Sequence, residues 1–118
     1  MESILNTIKK MLGVDPEYDA FDTNIVVDIN TVLVILNQLG VGPTDGFFII
    51  DSTETWEDFL GSSNNLELVK SYIYIQTKLL FDPPTVASLL DAMKNQASML
   101  EWRINVQVEG NANAITTP

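Results

Sequence analysis

The sequence predicts an all-α protein: a compact bundle of four to five helices, with a short extended or hairpin segment near residues 47–50 and a flexible C-terminal tail. Three observations carry this reading. Apolar residues recur at helical spacing in successive stretches of the chain. Glycines and prolines fall between those stretches and not inside them. The one short apolar run outside them, Phe47 to Ile50, is too short to seed a sheet.

In chain order, Ile4, Leu5, Ile8, Met11 and Leu12 share one helical face, with Ser3 as N-cap and Gly13 in the stop position. An acidic connector follows from Val14 to Ala20. Asp19 or Asp22 then caps a helix that reaches Leu39 and ends at Gly40. Its Ile and Val content makes strand the competing assignment. Helix is preferred because Ile25, Ile29, Val32, Leu33 and Leu36 fall on one face, and tertiary packing overrides weak β-branched propensity. The segment Gly40 to Gly46 is a turn-rich break. Ser52 or Thr53 caps a brief helix through Trp56, Phe59 and Leu60, closed by Gly61 and followed by the loop 62–65. Leu66, Val69, Ile73, Thr77 and Leu80 mark the inward face of a fourth helix that stops before Asp82-Pro83-Pro84. In the last helix Val86, Leu90, Met93, Ala97, Leu100 and Ile104 alternate spacings of four and three, which demands one buried face. Past Val108 the residues are small and polar, with nothing to hold them to a core. The expected organisation is one domain over 1–109 and a flexible tail over 110–118.

Composition narrows function. With 118 residues and 46% hydrophobic content the chain can build one genuine core. It has no cysteine, which removes disulfides and thiol nucleophiles and fits a reducing cytoplasm. It has no histidine, the commonest general base and neutral metal ligand. The net charge of -10 opposes tight binding to phosphate backbones. That charge is uneven: Met11 to Val69 holds eleven acids and no Lys or Arg, whereas Lys70 to Pro118 holds four of each sign. Asn6, Thr7, Lys9 and Lys10 interrupt the apolar character of the first residues, and no apolar stretch approaches the ~20 residues of a membrane span. The expectation is a soluble, non-exported protein.

Candidate sites reduce to ordinary structural roles in most cases. Asp15, Glu17 and Asp19 alternate like calcium-loop ligands, but the motif requires Gly at Ala20 and Glu at Val26. A solvated, helix-capping acidic loop explains them better. Glu54, Glu57 and Asp58 offer carboxylates for acid/base work, yet the start of a short amphipathic helix exposes acids anyway. Gly40, Gly42 and Gly46 lack phosphate-loop spacing. Tyr72 and Tyr74 have only Lys70 and Lys78 near them, so packing or interface roles fit better than base stacking. Trp102-Arg103, at the end of the last helix, combines the residue types that interface hot spots favour, against the alternative of a core tryptophan beside an exposed arginine. No cofactor is implied.

The order of several fragments resembles a known family. Tyr72-Ile-Tyr leads to Leu79-Leu80-Phe81-Asp82-Pro83-Pro84, and a helix then closes with Leu100-Glu101-Trp102-Arg103-Ile104-Asn105. Upstream stand the helix and turn ending Asn37-Gln38-Leu39-Gly40-Val41-Gly42-Pro43, and Trp56-Glu57-Asp58-Phe59-Leu60-Gly61. Together, over residues 2 to about 109, these resemble the head-tail connector (adaptor, or DNA-packaging) proteins of tailed phages, from siphoviruses or prophages of Gram-positive bacteria. The resemblance implies a non-enzymatic virion protein, assembled in the bacterial host cytoplasm, that forms a homo-oligomeric ring, a dodecamer, at the head-tail interface. Its implied partners are the portal protein and a downstream head-completion or tail protein, with DNA passing through unbound and no membrane involved. On that reading Asp15, Glu17, Asp19 and Asp22 are candidates for an anionic channel face, because like charge keeps a duplex sliding. Trp102, Arg103 and Ile104 are the candidate partner-binding residues.

Two rivals come from other classes. An acidic DNA mimic that inhibits a host DNA-binding enzyme would suit the charge, but the chain is only 19% charged and its acids are scattered through an apolar helical pattern. An enzyme would need paired carboxylates or a metal held by Asp and Glu, and no pair is marked by its context.

Overall fold

Ser3 opens the first helix by accepting a hydrogen bond from the Asn6 amide at 3.2 Å, the N-cap role its position predicts. The computed structural model describes residues 2–61 and 66–116, with side chains through Gly110. Five helices follow in order: α1 Ile4–Met11, α2 Asp22–Gln38, α3 Trp56–Leu60, α4 Leu66–Phe81 and α5 Ala87–Thr116. The all-α bundle is therefore the fold observed. The loop 62–65 lies outside the described residues. So do residues 117 and 118 and the side chains from 111 onward, on which most of the expected tail falls; the backbone is helical to Thr116.

Both glycine stops behave as read. Gly13 and Gly40 take φ of 82° and 89°. At each, the amide of the next residue reaches back across the last turn: Val14 to the Lys9 carbonyl at 2.8 Å, and Val41 to that of Leu36 at 2.9 Å. These are Schellman closures, which only a residue free to adopt positive φ completes without strain. The α4 helix ends at Phe81, ahead of Pro83-Pro84, as proline sterics require.

The core assembles around α4, which packs against α5, α2 and α1. Ile25, Ile29, Val32, Leu33 and Leu36 of α2 are all buried, so the face that argued for helix over strand is the face that packs. They meet Ile4, Leu5 and Ile8 of α1, Val69, Tyr72 and Ile73 of α4, and Ala97, Leu100 and Ile104 of α5. Leu80 and Val86, expected inward, are exposed. Leu79 and Phe81 cover the core in the last turn of α4, which leaves Leu80 facing outward, and Val86 precedes the first turn of α5.

Two cap assignments change. The N-cap of α2 is Phe21, without a side-chain cap bond, because the Asp22 carboxylate is engaged by Lys9. The cap of α3 is Thr55 and not Ser52 or Thr53: its hydroxyl accepts from the Asp58 amide while the Asp58 carboxylate accepts from the Thr55 amide, a reciprocal capping box. Thr53 instead donates its amide and hydroxyl to the Asp51 carboxylate at 2.8 and 2.6 Å, which holds that carboxyl below its ordinary range.

Residues 46–49 carry no regular secondary structure and form no hairpin among the described residues. The Asn30 carboxamide takes the place of a neighbouring strand, donating to the Ile49 carbonyl at 3.0 Å and accepting from its amide at 2.8 Å. This draws Ile49 into the core and leaves Phe48 and Ile50 exposed on either side. An antiparallel bridge, Ser3 with Thr55, ties the N-terminus to the start of α3. Below it the buried Trp56 indole donates to the Thr7 hydroxyl at 3.0 Å.

Candidate functional site

The acidic connector between α1 and α2 is organised by a lysine. Lys9 is 0% exposed, and its ammonium donates to the carbonyls of Pro16 at 2.9 Å and Tyr18 at 2.8 Å and to the Asp22 carboxylate at 2.6 Å. Three protons meet three acceptors, so the buried charge is fully satisfied. The connector is wrapped around the end of this side chain. Asp22 also sits in the first turn of α2, where a carboxylate favours the helix dipole.

The four acids grouped in the sequence therefore separate. Asp22 is a structural counter-ion. Asp15, Glu17 and Asp19 are exposed, and the Asp15 carboxylate accepts from the Glu17 amide at 2.9 Å, forming a local turn. These three carboxylates are what the connector displays.

Next to them lies a groove that the sequence did not reveal. Tyr18, Phe21 and Phe81 stack edge to face, each neighbouring pair of ring centroids 5.5 Å apart. Beside this aromatic row an open groove of about 700 Å³ runs between the connector, α2 and the C-terminal end of α4, lined by Phe21, Val27, Asp28, Leu80 and Asp82 among others. Asp82 is paired with Lys78 at 2.7 Å. Asp28 has no ion-pair partner among the described residues, and burial raises its carboxyl above its ordinary range.

The second surface is the outer side of α5. Leu100 and Ile104 turn inward; Met99, Trp102, Arg103 and Val106 turn outward as a ridge at spacings of three, one and three. Trp102 is 64% exposed, which settles the choice between a core and a surface tryptophan. Ile104 is 1% exposed and belongs to the core, four residues along the same inner face as Leu100, so it supports the ridge from beneath. Arg103 makes no ion pair among the described residues.

The remaining candidates have structural work. The Glu54 carboxylate accepts from the amides of Ile50 and Asp51, and Asp58 closes the capping box. Tyr72 is buried, donating its hydroxyl to Glu101 at 2.9 Å and accepting from Gln76 at 3.1 Å. Desolvation, opposed by the hydrogen bond from Gln76 and helped by the Glu101 carboxylate, pushes its phenol up to about 12. That bond fixes α4 to α5. Lys70 lies 5.8 Å from the Trp56 ring centroid, near enough for a cation–π contact. Among the described residues no helix is long and apolar enough to cross a membrane.

The geometry thus offers two surfaces for macromolecular contact, an acidic connector beside an apolar groove and an apolar ridge with one arginine. No curated protein and no solved structure matches the chain. The model of the family described as phage connector protein does match, over residues 4–111, from the first residue of α1 well into α5. With nearly the whole helical bundle inside that match, the chain belongs to the phage connector protein family.

Proposed function

We propose that this chain is a structural subunit that joins the portal to the tail, several copies forming a ring that extends the DNA channel at the head-tail interface. The observation that carries the reading is the connector-family match over residues 4–111, nearly the whole bundle. The surface is consistent with it in two ways. Asp15, Glu17 and Asp19 stand exposed on one connector, and a channel face of carboxylates repels duplex DNA and keeps it from sticking. Trp102 and Arg103 stand exposed on a rigid helix, the combination that anchors protein interfaces. Neither surface gathers groups in a way that calls for catalysis, and the role is architectural: a virion component, assembled in the host cytoplasm, that touches portal on one side and a head-completion or tail protein on the other.

The test is co-sedimentation of the purified protein with portal rings of the same phage, followed by imaging of the complex. A stoichiometric ring on the portal is the expected result, with twelve copies as the expected number and Asp15, Glu17 and Asp19 toward the lumen. Failure to bind assembled portal refutes the portal-joining role and moves the chain to another connector position in the virion. Truncation after Val108 is expected to weaken portal binding; unchanged binding removes the C-terminal segment from the interface.

A further inference from the structure

The two apolar surfaces lie toward opposite ends of α4. The ridge of Trp102, Arg103 and Val106 borders Leu68 in the first turn of α4, while the groove is walled by Leu80 and Phe81 in its last turn. At 1.5 Å per residue these ends are about 18 Å apart. A rigid bundle cannot fold one onto the other, so whatever covers them comes from outside the subunit.

Their chemistry is complementary. The ridge presents aliphatic and aromatic surface around one cation, Arg103, that has no acidic partner of its own among the described residues. The groove presents apolar surface around Asp28, which has no basic partner there and whose charge is partly desolvated, with Asp82 and the acidic connector alongside. Lys78 is paired with Asp82 and Lys9 with Asp22, and no cation pairs with Asp28 among the described residues. A largely apolar rod carrying one unpaired guanidinium suits a groove carrying one unpaired carboxylate, because a bidentate arginine offsets the desolvation of both.

We propose that the occupant of the groove is a second copy of this chain: the Met99–Val106 ridge of α5 from one subunit lies in the Phe21–Val27–Leu80 groove of the next, with Arg103 paired to Asp28. Because the two surfaces differ and sit at opposite ends, the contact is head-to-tail, and each subunit keeps one free ridge and one free groove until the series closes. That is the geometry from which rings arise, whereas a patch meeting its own copy stops at a dimer. The inference deepens the ring reading above by naming the faces that meet.

The chain has no native cysteine, so placed cysteines report the contact without background. Asn24→Cys in the groove and Gln107→Cys on the ridge are both at exposed positions. A short bismaleimide is added to the full-length protein in solution at high concentration and on portal rings. The double-cysteine chain is expected to give a ladder of multimers, and each single-cysteine chain to stay monomeric. Arg103→Glu is expected to reduce the ladder about tenfold, and Arg103→Glu with Asp28→Lys in the same chain to restore it, since the reversed pair attracts again. Circular dichroism confirms that the variants stay folded.

Single-cysteine dimers would overturn the proposal by showing a symmetric contact. Cross-linking of either cysteine to a cysteine placed on the portal surface, without a ladder, would overturn it by assigning that surface to the portal. Rings on the portal with no ladder would sink the inference and leave the proposed function standing. A ladder in solution without portal binding would do the reverse.

Discussion

Replacing Lys9 by methionine tests the feature on which the acidic connector depends. Methionine keeps most of the stem's volume, so little packing is lost and the experiment isolates the ammonium. What disappears is one fully buried charge bonded to two carbonyls and one carboxylate at 2.6 to 2.9 Å. Breaking a buried pair by removing one partner costs about 3–5 kcal/mol. The loss here falls at the lower end because Asp22, at 35% side-chain exposure, can recover water and stays in the first turn of α2. The expected destabilisation is about 3 kcal/mol. For 118 residues the unfolding entropy is about 0.25 kcal/mol/K, so Tm falls by about 12 °C. Urea unfolding followed by far-ultraviolet circular dichroism measures it, with an unchanged m-value showing that the effect is on stability. Asp22→Asn is expected to cost less, about 1 kcal/mol, since Lys9 retains both carbonyls. A loss below about 1 kcal/mol for Lys9→Met would refute the reasoning, because it would mean that the ammonium is as easily served by water as by the connector.

Three further outcomes follow from single positions. Gly42 has φ of 84° and an added Cβ would collide with the buried Phe59 ring, whereas Gly13 has φ of 82° and open space around it; Gly42→Ala is expected to cost about 3 kcal/mol and Gly13→Ala about 1 kcal/mol in the same unfolding assay. Tyr72, with its folded-state value raised to about 12 from 10, contributes stability that is complete below pH 10 and lost as pH rises from 10 through 12; ultraviolet titration is expected to show one tyrosine ionising late, and Tyr72→Phe to remove that stretch of alkaline sensitivity. Thr77 is fully buried and its hydroxyl has no hydrogen-bond partner among the described residues, so Thr77→Val is expected to stabilise the fold by about 1 kcal/mol, read as a higher urea midpoint.

Much of the fold was legible because its determinants are local. A glycine one residue past an apolar stripe can complete a Schellman turn wherever the rest of the chain goes, so the ends of α1 and α2 could be placed from Gly13 and Gly40 alone. The five inward residues of α2 and the inner seam of α5 from Ala97 to Ile104 follow from the period of a helix. The caps were harder, since several candidates stood within a few residues and tertiary partners chose among them. Thr55 won at α3 because Asp58 stood three residues on to reciprocate, a capping-box signal present in the sequence. Nothing local could show that Asn30 would stand in for a strand opposite Ile49, or that Leu80 would be left outside when Leu79 and Phe81 turned in.

The candidate site shows the same division more sharply, because charge counted along a chain says nothing about which charges cancel. Asp15, Glu17, Asp19 and Asp22 are equivalent members of one acidic run until Lys9, thirteen residues before Asp22, reaches into the connector and selects a single partner. After that selection three carboxylates face solvent and the fourth is part of the framework that holds them there. Trp102 and Ile104 divide in the same way. Two residues apart on a helix they point about 160° away from each other, so both cannot serve one surface, and the deeper of the two had to be the one in register with Leu100. The groove was invisible for a different reason: Phe21 and Phe81 become neighbours only when α2 packs on α4, and that Lys9 pairs with Asp22 and Lys78 with Asp82, leaving Asp28 without an ion pair among the described residues, is decided by the packing. The surfaces proposed for assembly are therefore defined by what the core leaves unpaired, which sequence composition cannot report and packing can.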